Sequence, residues 1–284
     1  MKSVVVTGVS SGIGYDACKL FLEKGYHVFG SVRNKTDARN LSSQFSDKFT
    51  PLIFDIRDTS AIRKASKIVS EKLSGRTLSA LVNNAGVANI GPLELLPSSD
   101  FREQIETNVV GTFTCIQEFL PLLHPDAIVN EAPPGRIVNI SSALGGKIGY
   151  PFYGAYCASK HALEGLSETL RRELCVYGIK VIIVAPGAIV TPIWGKAEKK
   201  NFKETYSNTV YEEPFKKNMK TLKSLGAKGL SPTTVAKTIL KAVEDPKPKL
   251  RYFFLKELML TLLYYTPKSI LDILICNSLG LKKK

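Results

Sequence analysis

The chain is 284 residues long, enough to bury a full core in one large domain or two small ones. Its formal charge of +14 is unevenly placed: residues 1–194 carry 20 Lys/Arg against 17 Asp/Glu, and residues 195–284 carry 19 against 8. The lysines of that basic C-terminal third are scattered among aliphatics with no helix-turn-helix, zinc or RNP-type motif, which excludes a nucleic-acid binder and leaves a solvated surface or attraction to anionic membrane or ligands. Five cysteines, odd in number, far apart and without a Cys-x-x-Cys pattern, exclude a disulfide framework and a metal cluster, and imply reduced thiols in a cytosolic-type compartment.

At the start, "MKSVVVTG" runs straight into a strand-like stretch and a glycine turn with no small-residue cleavage site, so the N-terminus is expected to begin the fold. Strands are predicted at 3–7, 27–32, 50–55, 79–84, 136–141 and 180–185, each nearly continuous in apolar residues. Between them "GIGYDACKLFLEKG", "SAIRKASKIVSEKL", "DFREQIETNVVGTFTCIQEFLPLL" and "HALEGLSETLRRELCVYG" have amphipathic helical spacing. Buried strands alternating with helices predict a single α/β domain over 1–284, a Rossmann-type doubly wound parallel sheet with helices on both faces.

Segment 124–135, with its acidic residues and paired prolines, reads as a surface loop lengthened before the fifth strand. After "APGAIVTP" the pattern changes. Residues 1–194 are read as the dinucleotide-binding and catalytic core, the polar 195–230 as a substrate-lid insertion, and 231–284 as a helix capped near Ser231, a strand at 251–255 and an amphipathic tail. The apolar "LMLTLLYYT" (258–266) falls well short of the ~20 residues a spanning helix needs.

"TGVSSGIG" (Thr7 to Gly14) joins the first strand to the first helix. Gly8 permits a tight turn, Gly12 lets backbone approach a pyrophosphate, and Gly14 allows close helix packing, while the helix N-terminus offers amide donors to an anion. At the end of the second strand "GSVRN" has no acid to take a ribose 2′-hydroxyl. Arg33 instead offers a guanidinium fork to a 2′-phosphate, which favours NADP (NADPH) over NAD.

A phenol with a pKa of ~10 is a poor proton donor and acceptor at neutral pH unless its anion is stabilised. In "YGAYCASK", Tyr156 has Lys160 four residues on, hence on the same helical face, whereas Tyr153 has Cys157 there. Tyr156 is therefore the chemical candidate, and Tyr153 is assigned to shaping the pocket.

The G-x-x-x-G-x-G spacing, "NNAG" (Asn83 to Gly86), Asn108, "ISS" (140–142), "YCASK" (156–160) and "PGAIVT" (186–191), in this order, resemble the short-chain dehydrogenase/reductase family. The stretches "YCASKHALEGLSETLRREL" and "GIKVIIVAPGAIVTP" are most like its hydroxysteroid and retinol dehydrogenase branch. The resemblance implies a catalytic set of Asn108, Ser142, Tyr156 and Lys160, with Ser142 positioning the substrate oxygen, Lys160 also holding the nicotinamide ribose, and Asn108 organising a water. It implies cofactor contacts from Gly8, Ser10, Ser11, Gly12, Ile13, Gly14, Arg33, Asp55 at the adenine amine, Ile56, Asn84, Ala85, Gly86, Pro186, Gly187, Ile189 and Thr191, and no metal. Ser142 to Tyr156 is one residue longer than the family's usual spacing. Gly145-Gly146 could absorb the excess as a wider turn, and Ser141 should face the opposite side.

The expected activity is NADP(H)-dependent interconversion of a lipophilic alcohol with its ketone or aldehyde, with residues 144–153, Trp194 and the apolar tail as pocket walls. Two alternatives are a catalytically silent dinucleotide-binding regulator and a 3-oxoacyl reductase. The chain is expected to be a cytoplasmic homo-oligomer. Its tail, with lysines at 256, 268 and 282–284, either packs on the domain or a second subunit or makes peripheral membrane contact.

Overall fold

The computed structural model describes residues 1–45, 47–124, 133–146, 148–190, 206–227, 229–254 and 265–281. Seven strands, β1 (Ser3–Val6), β2 (His27–Val32), β3 (Phe49–Ile53), β4 (Ala80–Asn83), β5 (Arg136–Ile140), β6 (Lys180–Ala185) and β7 (Arg251–Phe253), form one sheet in the order β3-β2-β1-β4-β5-β6-β7. Every paired strand is parallel. Chain order reverses between β1 and β4, and the crevice at their carboxyl ends is where such a sheet receives a ligand.

Successive strand residues face opposite sides, and each side has its own helical cover. Val4, Val6, Val28 and Val184 pack with Phe21 of α1 (Gly12–Glu23), Leu41 of α2 (Lys35–Gln44) and Ile239 of the penultimate described helix (Pro232–Glu244). Val5, Phe29, Leu81 and Ile137 pack with Val69 of α3 (Thr59–Leu73) and with Ile116 and Phe119 of α5 (Gly111–Phe119). The helix Pro232–Glu244 starts where the sequence places it: the Ser231 hydroxyl accepts from Thr234 N at 3.2 Å, satisfying one otherwise free amide.

Three local features depart from the sequence reading. Helix α2 has little apolar patterning, but Asn34 caps it by accepting from Asp37 N at 2.8 Å. The stretch read as one helix from Asp100 is α4 (Ser98–Ile105), a π-helical turn (Glu106–Val110) carrying Asn108, and then α5. Helix α6 (Gly154–Glu173) begins before His161, so Tyr156 and Lys160 lie in its first two turns.

The later helices are α7 (Glu212–Ala227), α8 (Pro232–Glu244) and α9 (Lys268–Leu279). Ahead of α8, Leu230 N donates to Ala188 O at 3.0 Å and Val190 N to Leu230 O at 3.2 Å, which ties the segment after β6 to the start of that helix. No helix among the described residues is long and apolar enough to cross a membrane. Much of the loop at 124–135, the first part of the 195–230 insertion, and the tail positions 255–264 and 282–284 lie outside the described residues.

Candidate active site

A cavity of about 400 Å³ opens at the carboxyl ends of β1, β2, β4 and β5. At one end it is lined by Gly8, Ser10, Ser11, Gly12 and Ile13, with Arg33, Asp55 and Ile56 along its side. Asn84, Ala85 and Gly86 form its middle, and Ser142, Tyr156, Lys160, Pro186, Gly187 and Ile189 close the far end. Gly14 lies beneath this lining, and Thr191 and Trp194 are outside the described residues.

The glycine turn is built for close backbone approach. Gly8 sits at φ +72°, a conformation side chains disfavour, and a Cβ there would stand 3.0 Å from Ala85 Cα. A Cβ on Gly14 would collide with Gly8 O and the Asn84 amide. Ser11 stands at the N-cap of α1 without a side-chain cap bond, and no acid occupies the first turn. The free amides and the dipole there suit a pyrophosphate.

Two residues missed in the sequence hold this turn. Thr7 Oγ1 accepts from Asn84 N at 2.9 Å and Ala85 N at 3.0 Å, and the Ser31 hydroxyl accepts from Gly8 N at 2.9 Å. Asn84 Nδ2 completes the clamp by donating to Thr7 O and Gly8 O at 2.9 and 3.0 Å. A hydroxyl beside a glycine turn was the available signal for Thr7; nothing local marks Ser31.

At the adenosine end Arg33 is exposed on the cavity side, and a second arginine, also missed, lies beside it. Arg57 donates to Asp55 through Nε (2.9 Å, to Oδ1) and Nη2 (2.7 Å, to Oδ2), while its own backbone N reaches Oδ1 at 2.9 Å. The Arg57 hydrogen bonds, helped by its charge and that of Arg33, hold the Asp55 carboxyl down at about 2. Of the roughly four lone-pair positions on that carboxylate, three are taken, which leaves about one on Oδ2 for an adenine amine.

At the other end, Tyr156 and Lys160 begin a buried stripe on α6 that continues through Leu163, Ser167 and Leu170 at helical spacing. The Tyr156 hydroxyl lies beside that of Ser142; burial pushes the phenol up to about 12, and the nearby Ser142 hydroxyl works against this. Lys160 Nζ donates to Ile140 O at 2.8 Å and lies 5.8 Å from the Tyr156 ring centroid. Burial lowers the ammonium to about 8, with Glu164 opposing the fall.

The additional residue between Ser142 and Tyr156 is accommodated in the loop. Gly145 N donates to Ser142 O at 2.9 Å and Leu144 N to the Ser142 hydroxyl at 3.2 Å, closing a turn that keeps this hydroxyl beside Tyr156. Ser141 also lines the cavity, but its hydroxyl is taken by Glu164, to whose Oε1 it donates at 2.7 Å. Asn108 sits just outside the cavity lining. Its Oδ1 accepts from Val87 N at 2.9 Å, and its Nδ2 donates to Val87 O at 3.0 Å and Ser159 Oγ at 3.1 Å. A Cβ on Gly86 would stand 3.1 Å from Asn108 Oδ1 and 3.9 Å from Lys160 Nζ, so the amide and the ammonium flank that glycine.

Beside Tyr156 is a third apolar cluster: Ala88 and Ile90 after β4, Phe152, Tyr153 and Cys157, Tyr206 ahead of α7, Phe215 and Met219 on α7, and Leu279 of α9. Phe152–Phe215 and Tyr206–Phe215 meet edge-on with centroids 5.1 Å apart in both pairs. Tyr153 lies in this wall, with Asn218 Nδ2 donating to its hydroxyl at 3.4 Å.

A dinucleotide cradle continuous with a Ser–Tyr–Lys group and an apolar wall has counterparts in known proteins. A family model described as short chain dehydrogenase matches residues 2–201. NADPH-dependent 3-dehydrocapnine reductase of Ornithobacterium rhinotracheale is 40% identical over 274 residues, covering 96% of this chain and 95% of its own. Estradiol 17-beta-dehydrogenase 2 of Mus musculus is 33% identical over 293 residues, covering 96% of this chain and 74% of its own. A solved short-chain dehydrogenase from Streptomyces avermitilis matches with a TM-score of 0.75 at 27% identity, covering 99% of this chain and 98% of that one. With that match over most of its length, the chain belongs to the short-chain dehydrogenase/reductase family and is an NAD(P)-dependent oxidoreductase acting on CH–OH groups.

Proposed function

We propose that this enzyme uses NADP(H) to interconvert a lipophilic secondary alcohol and its ketone, or a primary alcohol and its aldehyde. The observation that carries the reading is the Ser142–Tyr156 hydroxyl pair lying between the dinucleotide cavity and the apolar cluster of Phe152, Phe215 and Met219. Arg33 at the cavity rim supports the phosphorylated cofactor, and the 3-dehydrocapnine reductase relative is named as NADPH-dependent. The substrate classes in view are long-chain, steroid or retinoid carbonyls; 3-dehydrocapnine and estradiol appear in the names of two relatives.

When bound, NADPH supplies a hydride to the carbonyl carbon. Ser142 donates a hydrogen bond to the carbonyl oxygen and holds it against Tyr156. As the C=O π pair localises on oxygen, the Tyr156 hydroxyl gives it a proton, forming the alcohol. A phenol at about 12 is protonated and ready to donate at neutral pH. The Lys160 ammonium, protonated below about 8, stabilises the phenolate left behind until it is reprotonated from solvent. Asn108 fixes the loop at Val87 and borders Lys160 across Gly86, where it can organise a water that carries this proton.

The test is a carbonyl panel assayed with each cofactor by loss of reduced-nicotinamide absorbance. Turnover of long-chain, steroid or retinoid carbonyls faster with NADPH than with NADH is the expected result. NADPH binding without turnover of any carbonyl would favour the silent regulator, and preference for short acyl thioesters the 3-oxoacyl reductase.

Residues 195–230 act as a substrate lid and the tail as a further wall. Phe215 and Met219 of α7 and Leu279 of α9 pack into the apolar cluster, supporting this assignment. The opposite face of α9 exposes Ile270, Ile273 and Leu274, with Tyr265 just ahead of the helix and Lys268 at its start. That face makes peripheral membrane contact through which lipophilic substrate arrives. The full chain should float with anionic liposomes at low salt and detach as ionic strength rises, whereas a chain truncated before Leu258 should not float. Absence of flotation together with a dimer by light scattering would assign the face to a second subunit.

A further inference from the structure

Glu164 follows Lys160 by four residues on α6, which puts both side chains on one helical face. Its carboxylate is held from two other elements. Ser141 Oγ, at the end of β5, donates to Oε1 at 2.7 Å. Arg251, at the start of β7, donates through Nη2 to Oε1 and through Nε to Oε2, both at 3.1 Å. The Arg251 guanidinium in turn lies 4.5 Å from the Phe253 ring centroid. The pair is shielded, with side chains 13% and 24% exposed, so water screens it far less than a surface ion pair. The loop after Ser142 packs directly on it: a Cβ on Gly145 would stand 2.8 Å from Glu164 Oε1 and 3.1 Å from Lys160 Cβ.

We propose that Glu164 is a positioning residue: clamped by Ser141 and Arg251, its carboxylate is the counter-charge that keeps the buried Lys160 ammonium cationic during turnover. The proposal rests on the reading of Lys160 given above, but its test is independent of catalysis. Burial discharges an ammonium unless an anion opposes it. Among the described residues, the titratable groups facing Lys160 are Tyr156, neutral until well above pH 7, and Glu164, both on its own helix. Neighbouring elements present the Ile140 carbonyl and the Asn108 amide, and Arg251 from β7 acts through Glu164. The clamp joins Ser141, next to Ser142, to the helix bearing Tyr156 and Lys160, so it also fixes the spacing of the reacting groups.

The full chain carrying ¹³C-labelled lysine is titrated by NMR, the Lys160 signal being assigned by its loss in Lys160→Arg. In Glu164→Gln the Lys160 midpoint should move to lower pH than in the unaltered chain, and Glu164→Asp should restore much of the shift. In Arg251→Met, where the carboxylate is kept but its guanidinium partner is gone, the midpoint should move to higher pH. If Glu164→Gln does not fold, the double variant Glu164→Gln with Arg251→Met, which leaves neither charge unpaired, carries the test: its Lys160 midpoint should lie below that of Arg251→Met alone. An unmoved midpoint in Glu164→Gln, or a shift in the same direction in both variants, overturns the proposal whatever the activity. A midpoint that moves as expected while the alkaline limb of carbonyl reduction stays in place supports the Glu164–Lys160 coupling and overturns the role of Lys160 in catalysis.

Discussion

Tyr156→Phe should lower the rate of carbonyl reduction by roughly 10²- to 10⁴-fold, the range that a single positioned proton donor contributes. It should leave NADPH affinity nearly unchanged. The substitution removes one oxygen from a buried ring in the apolar wall, and the ring's packing with Phe152 and Cys157 is retained. Ser142 loses a neighbouring hydroxyl but still accepts from Leu144 N at 3.2 Å. Tyr153→Phe is the matched control, since it removes a hydroxyl one turn earlier whose hydrogen bond from Asn218 is long at 3.4 Å. Steady-state rates and a fluorescence titration of NADPH separate the two effects. Reversed phenotypes would move the proton donor to Tyr153, and equal losses of binding and rate would make Tyr156 a packing residue.

Arg33→Ala should weaken NADPH binding by roughly 10- to 150-fold, the range of one charge-assisted hydrogen bond to phosphate, and change NADH binding little. The lower end is expected for two reasons. Arg33 is exposed, so its charge is screened, and Arg57 leaves a second guanidinium nearby, tied to Asp55 and 3.8 Å from Glu103. The NADPH loss should shrink at high salt. Equal effects on both cofactors would remove Arg33 from 2′-phosphate recognition. The complementary change, Asp at Val32, is less clean than the sequence implies: Val32 is 3% exposed and packs in the core with Ala38 and Leu41, so a carboxylate there also costs folding energy. Arg57→Ala is the informative second variant, because it frees Asp55 and removes the reserve cation together.

What the sequence by itself determined is what repeats or lies close along the chain. Nearly continuous apolar runs set the strands, with β2 and β6 bounded as read and the others within a few residues. Alternation of those runs with helices demanded a parallel sheet, because only crossover helices can cover both its faces. The glycine turn and the Tyr156–Lys160 pair were legible because their spacing is read within a short stretch: glycines at the junction of β1 and α1, and two side chains one helical turn apart.

Tertiary structure decided what depends on residues far apart in the chain. Thr7 and Ser31 support the cradle from β1 and β2, and Arg57 takes most of the Asp55 carboxylate. The Glu164 clamp draws on positions 141, 164 and 251, and the apolar wall on segments from Ala88 to Leu279. No periodicity announces such contacts, since each partner alone reads as an ordinary surface or core residue. The π-helical turn at Asn108 was hidden too, because one extra backbone residue in a helix leaves the amphipathic pattern on either side almost intact. The length of the Ser142–Tyr156 stretch posed a question that only the loop could answer: a hydrogen-bonded turn accommodates the added residue, since a loop can lengthen at small cost while a strand end and a helix start stay fixed by the sheet.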